Sequence, residues 1–250
     1  MDPIYRRLQK RTLQLISQLP LSDFHKDFAR AGERSSQVLA TDVIVSELRD
    51  FISETIDNDF GHGMEHSIKV TLDAGTLIIV EGTAAGLTKR VIQRQLTLIQ
   101  CAALLHDIRR KDRDHALSGA NYAKKVLKAY TLTPVEINDI YIAIRNHEAF
   151  KTPLEAESQT GQLLSDCLYD ADKFRWGPDT FADTLWDMVA FNHTPVDEFV
   201  AAFPKGMAYL SKISATFRSA TGKIYGPRFI DQGLAVGNAL YRIMKTEFGL

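Results

Sequence analysis

The chain is poor in the features that build most other architectures. Its 250 residues include only two cysteines, Cys101 and Cys167. Both lie in apolar runs, Leu98-Ile99-Gln100-Cys101-Ala102-Ala103-Leu104 and Leu163-Leu164-Ser165-Asp166-Cys167-Leu168. Buried, reduced thiols are therefore expected, and a disulfide framework or a Cys-x-x-Cys metal knuckle is excluded. Net charge is almost absent: 30 Lys and Arg against 31 Asp and Glu leave −1. No global field draws the protein to nucleic acid or anionic lipid, so neither is expected as a partner. The longest apolar stretch, around Thr76 to Val80, is too short to cross a bilayer. Arg6, Arg7, Lys10 and Arg11 are followed by no apolar segment, so no cleaved leader is expected and a cytoplasmic location is. Asn-Gly hairpin signals, runs of alternating polarity, a Gly-rich phosphate loop and a Gly-x-Ser-x-Gly elbow are all missing. Chemistry by a serine or cysteine nucleophile has no motif to rest on.

What is present is ordinary in bulk and helical in pattern. A hydrophobic fraction of 45% with 24% charged residues fits a globular protein with one large core. Val43, Leu48, Phe51, Ile52 and Ile56 recur at helical spacings. Three segments carry a helix-start signature of Thr, then Pro, then an acid two residues on: Thr133-Pro134-Val135-Glu136, Thr152-Pro153-Leu154-Glu155 and Thr194-Pro195-Val196-Asp197. Gly and Pro cluster between Ser219 and Arg228, which predicts a loop there. The fold class expected is all-α, a single helical domain over 1–250. Residues 1–60 read as a helical lead-in, 61–176 as the core, and 177–250 as a helical extension. The extension is rich in aromatics (Trp186, Phe191, Phe199, Phe203, Phe217, Phe229). It should pack on the core and help form the walls of any pocket.

Histidines and aspartates mark the ends of the apolar stripes. His106-Asp107 closes the run Leu96 to Leu105, a segment apolar nearly all round and so buried. A carboxylate there needs a partner: a bound cation, Arg109 or Arg110, or a capping donor. His66 shares a face with Val70 and Leu77, as either a core residue or a ligand, and His62 is one turn away. Leu164, Leu168 and Asp172 share another stripe, with Asp170 turned elsewhere. Ile140, Ile144 and His147 share a third. Four helices that each present a His or Asp toward the core point to one buried site, and imidazole with carboxylate suits a divalent transition metal.

Taken in order, His66-Ser67-Ile68-Lys69-Val70, Leu104-Leu105-His106-Asp107-Ile108 and Asp170-Ala171-Asp172-Lys173-Phe174 resemble the HD-domain phosphohydrolase superfamily over about half the chain. The resemblance implies an HD-domain helical bundle with a metal held by His66, His106, Asp107 and Asp172. His115-Ala116-Leu117-Ser118-Gly119-Ala120 and Ala143-Ile144-Arg145-Asn146-His147 are similar to elements of the two-metal branches, which include diadenosine-tetraphosphate hydrolases and cyclic-dinucleotide phosphodiesterases. On that match His115 and His147 hold a second metal and Asp107 bridges. The alternative leaves one metal, with His115 and His147 in supporting roles. The Gly-Tyr-Pro motif of the cyclic-dinucleotide branch is missing, since Tyr225-Gly226-Pro227 has a different order and place.

The activity so implied is hydrolysis of a phosphate ester or anhydride of a nucleotide or other small molecule by metal-activated water, with one or two ions of Mn, Fe, Co, Ni or Zn. Asp107 serves the metal chemistry. Arg109, nearest to the ligands among Arg109, Arg110, Lys111 and Arg113, is expected to contact phosphate, as is Lys173. Arg175 and Trp176 are candidates for a pocket wall, with core packing the first expectation for Trp176. His25 and His193 are expected in surface or packing roles, His62 in support of the site, and Lys124, Lys125 and Lys128 on an exposed face. Two other classes remain open. An HD-type di-iron oxygenase uses the same ligands, and a non-catalytic nucleotide-binding regulatory module keeps the fold.

Overall fold

The structure, a computed structural model, describes residues 2–55 and 63–249. Ile56 and His62 lie outside these described residues. Every regular element among them is helical. The lead-in holds α1 (Pro3–Ile16), α2 (Asp23–Asp27), α3 (Ala29–Thr41) and α4 (Val43–Thr55). Next come α5 (Met64–Ala84), α6 (Lys89–Leu105), α7 (His115–Val126), α8 (Pro134–Arg145) and α9 (Gln159–Phe174). A short π-helical turn, Thr180–Thr184, leads into α10 (Leu185–Phe191), α11 (Val196–Ile213) and α12 (Ala220–Glu247). No helix among the described residues is long and apolar enough to cross a membrane.

α6 is the centre of the bundle because its sequence leaves it no polar face. From Gln95 to Leu105 every residue is buried. α5 lies across α6 and also against α3 and α9, while α8 packs on α7, α6 and α9. Some of the polar side chains inside tie one helix to another. Gln100 Nε2 donates to the Ser35 carbonyl at 2.8 Å, and Ser35 Oγ donates to the Leu72 carbonyl at 2.9 Å. Leaving such a group unpaired costs about 1–3 kcal/mol, so these bonds fix the register of α3 on α5 and α6. Both cysteines are buried free thiols, as expected, and burial pushes Cys167 well above the ordinary range.

The three Thr-Pro starts fare differently. Thr133 makes a full capping box, with its Oγ1 accepting from Glu136 N at 3.3 Å and Glu136 Oε2 accepting from Thr133 N at 2.7 Å. Thr152-Pro153 starts no helix. Asn146 takes both backbone groups of Leu154, accepting its N–H at 2.8 Å and donating to its carbonyl at 2.8 Å, which holds the segment outside any helix. α9 begins later, where Ser158 Oγ accepts from Gly161 N at 2.9 Å. At the third site the helix does begin at Val196, but Pro195 stands at the cap and no side chain caps it.

The loop expected at 219–228 is instead the first turns of α12. Its glycines mark close approach, not flexibility. A Cβ on Gly222 would lie 1.9 Å from Asp170 Oδ2, and one on Gly226 would lie 2.4 Å from the Phe217 ring. Three side chains hold the helix start. Ser219 Oγ accepts from Gly222 N at 2.9 Å, Glu81 Oε1 from Thr221 N at 2.7 Å, and Asp170 accepts from Arg218 N and Ser219 N at 2.8 Å each. Asp170 is thus turned away from Asp172, yet wholly buried. The extension packs through Trp186, Phe199, Phe203, Phe217 and Phe229, all buried. The stacked pair Phe174 and Phe229, centroids 4.4 Å apart, joins α9 to α12. Phe191, expected among them, is exposed.

Candidate metal centre

Helix termini bring the expected residues together. His66 is in the first turn of α5, His106 and Asp107 follow α6, and His115 opens α7. His147 lies two residues past α8, and Asp172 is in the last turn of α9. A residue at a helix end leaves the regular backbone while its neighbours stay locked in the core, so five helices can aim short side chains at one point.

Asp107 lies at the middle of the cluster. Its Oδ2 faces His66 Nε2 at 3.9 Å and His106 Nε2 at 3.4 Å. Its Oδ1 faces His115 Nε2 at 3.8 Å and His147 Nε2 at 3.4 Å. The two imidazoles on the Oδ2 side have their Nε2 atoms 3.3 Å apart. Asp172 Oδ1 closes that side, 3.4 Å from His66 Nε2 and 3.7 Å from His106 Nε2. His66, His106 and Asp107 form one set that could hold a metal ion, and Asp107, His115 and His147 form a second. Donors bound ~2.0–2.2 Å from a common ion lie roughly 3–3.5 Å from each other, so these separations fit an ion with slight contraction.

The surrounding hydrogen bonds prepare the imidazoles as ligands. His106 Nδ1 pairs with the Ala103 carbonyl at 2.7 Å, and His147 Nδ1 with the Ile144 carbonyl at 2.6 Å. A carbonyl can only accept, so Nδ1 carries the proton and each Nε2 turns a lone pair toward Asp107. His147 Nε2 is buried and has no hydrogen-bond partner among the described residues. Electrostatics divides the groups. Burial lowers the pKa of His66 and outweighs the carboxylates beside it. Burial also opposes charge on His106, but Asp107 and Asp172 outweigh it and raise that pKa. His115 falls to about 4 through burial and the charges of His147 and Arg110. Asp172 is held well below the usual carboxylate range, because Lys173 and the two imidazoles overcome its burial.

Three cations stand around the cluster. Lys173 is buried, its Nζ bonded to Asp172 Oδ2, with the Tyr169 and Trp176 rings 5.3 and 5.7 Å away. Arg175 binds Asp73, and Asp179 at 2.6 Å. Arg110, not Arg109, turns toward the imidazoles. Its NH1 lies 2.8 Å from His115 Nε2 and 3.7 Å from Asp107 Oδ1, whereas Arg109 is stacked over Tyr122 at 4.1 Å. The cause is local. After α6 the backbone runs through turns with i to i+3 bonds, Ile108 N to Leu105 O and Arg110 N to Asp107 O. Three residues per turn bring Arg110 back over Asp107 and send Arg109 away.

A cavity of about 420 Å³ opens from the cluster, with Asp107, His147, Asp172, Arg110, Lys173 and Arg175 at its inner end. Trp176 lines it and is partly buried against the core, so it serves both the wall and the packing. The outer wall comes from the extension and is apolar. Sequence reasoning missed Glu148, whose Oε1 lies 3.9 Å from His115 Nδ1, and also Asn146, which ties the chain beside His147 to Leu154 and to Ser165 at 3.0 Å. The position of Asn146 at a helix end was the available signal. His25 bridges Ser22 Oγ at 2.7 Å and Asp73 at 2.9 Å, a packing role that also holds the Asp73–Arg175 pair. Lys124, Lys125 and Lys128 are exposed, as expected.

Helices thus converge on two His and Asp donor sets that could hold metal ions around a shared aspartate. Residues 63–176 match the model of the HD domain family. That stretch, a little under half of the chain, is similar to the HD-domain superfamily, whose general character is metal-dependent phosphohydrolase chemistry. Among solved structures, the chain is similar to the crystal structure of a predicted HD superfamily hydrolase from an uncultured Thermotogales bacterium. That match has 20% identity and a TM-score of 0.45, and it covers 82% of this chain and 93% of the other. No curated protein matches the sequence.

Proposed function

We propose that the protein hydrolyses a phosphate ester or anhydride of a small molecule at a two-metal centre. His66, His106, Asp107 and Asp172 would hold one ion, and Asp107, His115 and His147 the other. One observation carries the reading: the two oxygens of Asp107 face two separate pairs of imidazole nitrogens, at 3.4 to 3.9 Å. Bound divalent metals lower the pKa of water to about 7 and polarise a phosphoryl oxygen.

The chain's own residues supply the rest. Asp107, shared by both sets, fixes their spacing. Lys173 and Arg175 present positive charge at the cavity floor, where a phosphate would bring two negative charges. Arg110 occupies the lone pair of His115 and is partly exposed, so it has room to swing from His115 onto a phosphate oxygen as a bidentate donor. The apolar wall keeps bulk water from the reacting group. Arg109, packed on Tyr122, has no part in this reading.

The test combines elemental analysis with phosphate release. Protein reloaded with Mn, Fe or Zn should bind two ions per chain and release phosphate from an ester panel. His106→Ala and Asp107→Ala should each lose metal and turnover while keeping the helical circular dichroism of the parent. Full turnover by either variant would refute the site. Two bound irons with O₂ uptake and no phosphate release would instead mark the oxygenase chemistry open to the same ligands.

A further inference from the structure

We propose that the substrate is an amphiphile, a phosphate monoester of an apolar alcohol whose alkyl or aryl body fills the chamber beside the metal centre. The head-group chemistry rests on the phosphohydrolase reading above; the body is argued from the chamber itself. One cavity joins the two ends. At the inner end stand the His and Asp donors with Arg110, Lys173 and Arg175. Beyond them the wall is Leu185, Met188, Phe199, Phe203, Met207 and Leu210.

What this wall offers a ligand is contact area with few hydrogen bonds. Among the described residues, its polar groups are the Thr180, Thr184 and Tyr209 hydroxyls and the Trp176 indole N–H, and Thr180 already donates to the Arg175 carbonyl at 3.1 Å. No Asn, Gln or Glu lines it among the described residues. Sites that select a nucleobase or sugar hold buried donors and acceptors matched to its edges, because an unmatched polar ligand loses its hydration with no return. An apolar body loses nothing by entering. The rim is apolar too: Met188 and Tyr209 line the cavity and are both 45% exposed. Phe150 packs edge-on against Tyr209 with centroids 5.4 Å apart. A body longer than the chamber can therefore emerge along a greasy lip. In the reaction, water oxygen bonds to phosphorus, the P–O bond to the alcohol breaks, and the alcohol oxygen takes up a proton from the attacking water. The apolar alcohol and inorganic phosphate leave.

Binding calorimetry on the metal-loaded protein tests this with ethyl-, butyl-, hexyl- and octylphosphonate, which cannot be hydrolysed. Affinity should rise about fourfold per added methylene until the chamber is full, the factor expected for burying one CH₂. The heat-capacity change should grow more negative along the series. Gly206 lines the chamber, and a Cβ there meets nothing within 4 Å. Gly206→Leu should therefore fold, since it also improves helix propensity, and should flatten the series above butyl. A flat series in the parent, or adenosine monophosphate binding more tightly than hexylphosphonate, would overturn the proposal. The two readings fail separately. Phosphate release from many esters with a flat phosphonate series sinks the chamber inference alone. A steep series with no release from hexyl phosphate sinks the hydrolase reading and leaves the chamber.

Discussion

Asp107 shows how much one side chain can be asked to do when a helix ends in the right place. Its neighbours on either side take opposite fates: His106 is locked to Ala103 by its Nδ1, while Ile108 and the turns beyond it free Arg110 to fold back. The six residues His66, His106, Asp107, His115, His147 and Asp172 were legible as candidates because each breaks an apolar helical stripe or matches a motif in order. Arg110 was not, because the 3.6-residue period that ranks side chains by face stops at Leu105, and adjacency then favours Arg109. The pair gives a sharp expectation. If Arg110 contacts phosphate, Arg110→Ala should lower kcat/KM by about 10²–10³, the usual loss for one charge-stabilising donor. Arg109→Ala should stay within about threefold of the parent, since its lost contact with an aromatic ring carries only about 0.5–1 kcal/mol. Steady-state kinetics on both variants decides it, and the reverse order would restore Arg109.

At the scale of the element, helices whose signals are local were legible and those set by distant partners were not. The capping box at Thr133 is made within four residues and reads directly from the chain. Thr152-Pro153 carries the same letters, but Asn146 captures Leu154 first, and no local pattern shows that. The start of α12 is the same lesson reversed. Gly222, Gly226 and Pro227 look like a loop until Asp170 and Glu81, brought from α9 and α5, cap the helix and explain the missing side chains. The Thr133 box also makes a pH prediction. Arg94 binds Glu136 through Nε at 2.5 Å and NH2 at 2.7 Å. That pairing, with the bonds to Thr133, overcomes burial and lowers the Glu136 pKa from 4.5 to about 2. Between these values the unfolded chain holds the extra proton, so stability rises with pH. Glu136→Gln should therefore be less stable than the parent above pH 4.5, and the gap should close as pH falls through 2. Denaturant melts at pH 7, 4 and 2 would show it; a gap constant with pH would mean the carboxylate charge contributes nothing.

For the whole molecule, five packed helices whose ends converge on one cluster gain further stability from whatever binds there. An ion present at about 100 times its Kd stabilises by about 2.7 kcal/mol. For a chain of this length each kcal/mol is worth about 2–4 °C, so a chelator should lower Tm by roughly 5–11 °C. Asp107→Ala should show no chelator effect at all; a parent Tm indifferent to the chelator would mean the helix ends hold together unaided. The all-helical class and the HD portion were legible from periodicity and motif order. The chamber was not, because its wall is built from residues that merely look like core. Yet the order along the chain has its own consequence. Every proposed donor lies between His66 and Asp172, and the apolar wall beyond the cluster runs from Trp176 to Leu210. On the proposed reading, catalyst and sieve are thus separate stretches of one gene. Swapping that thirty-odd-residue cassette alone could redirect an unchanged reactive centre to a new client molecule.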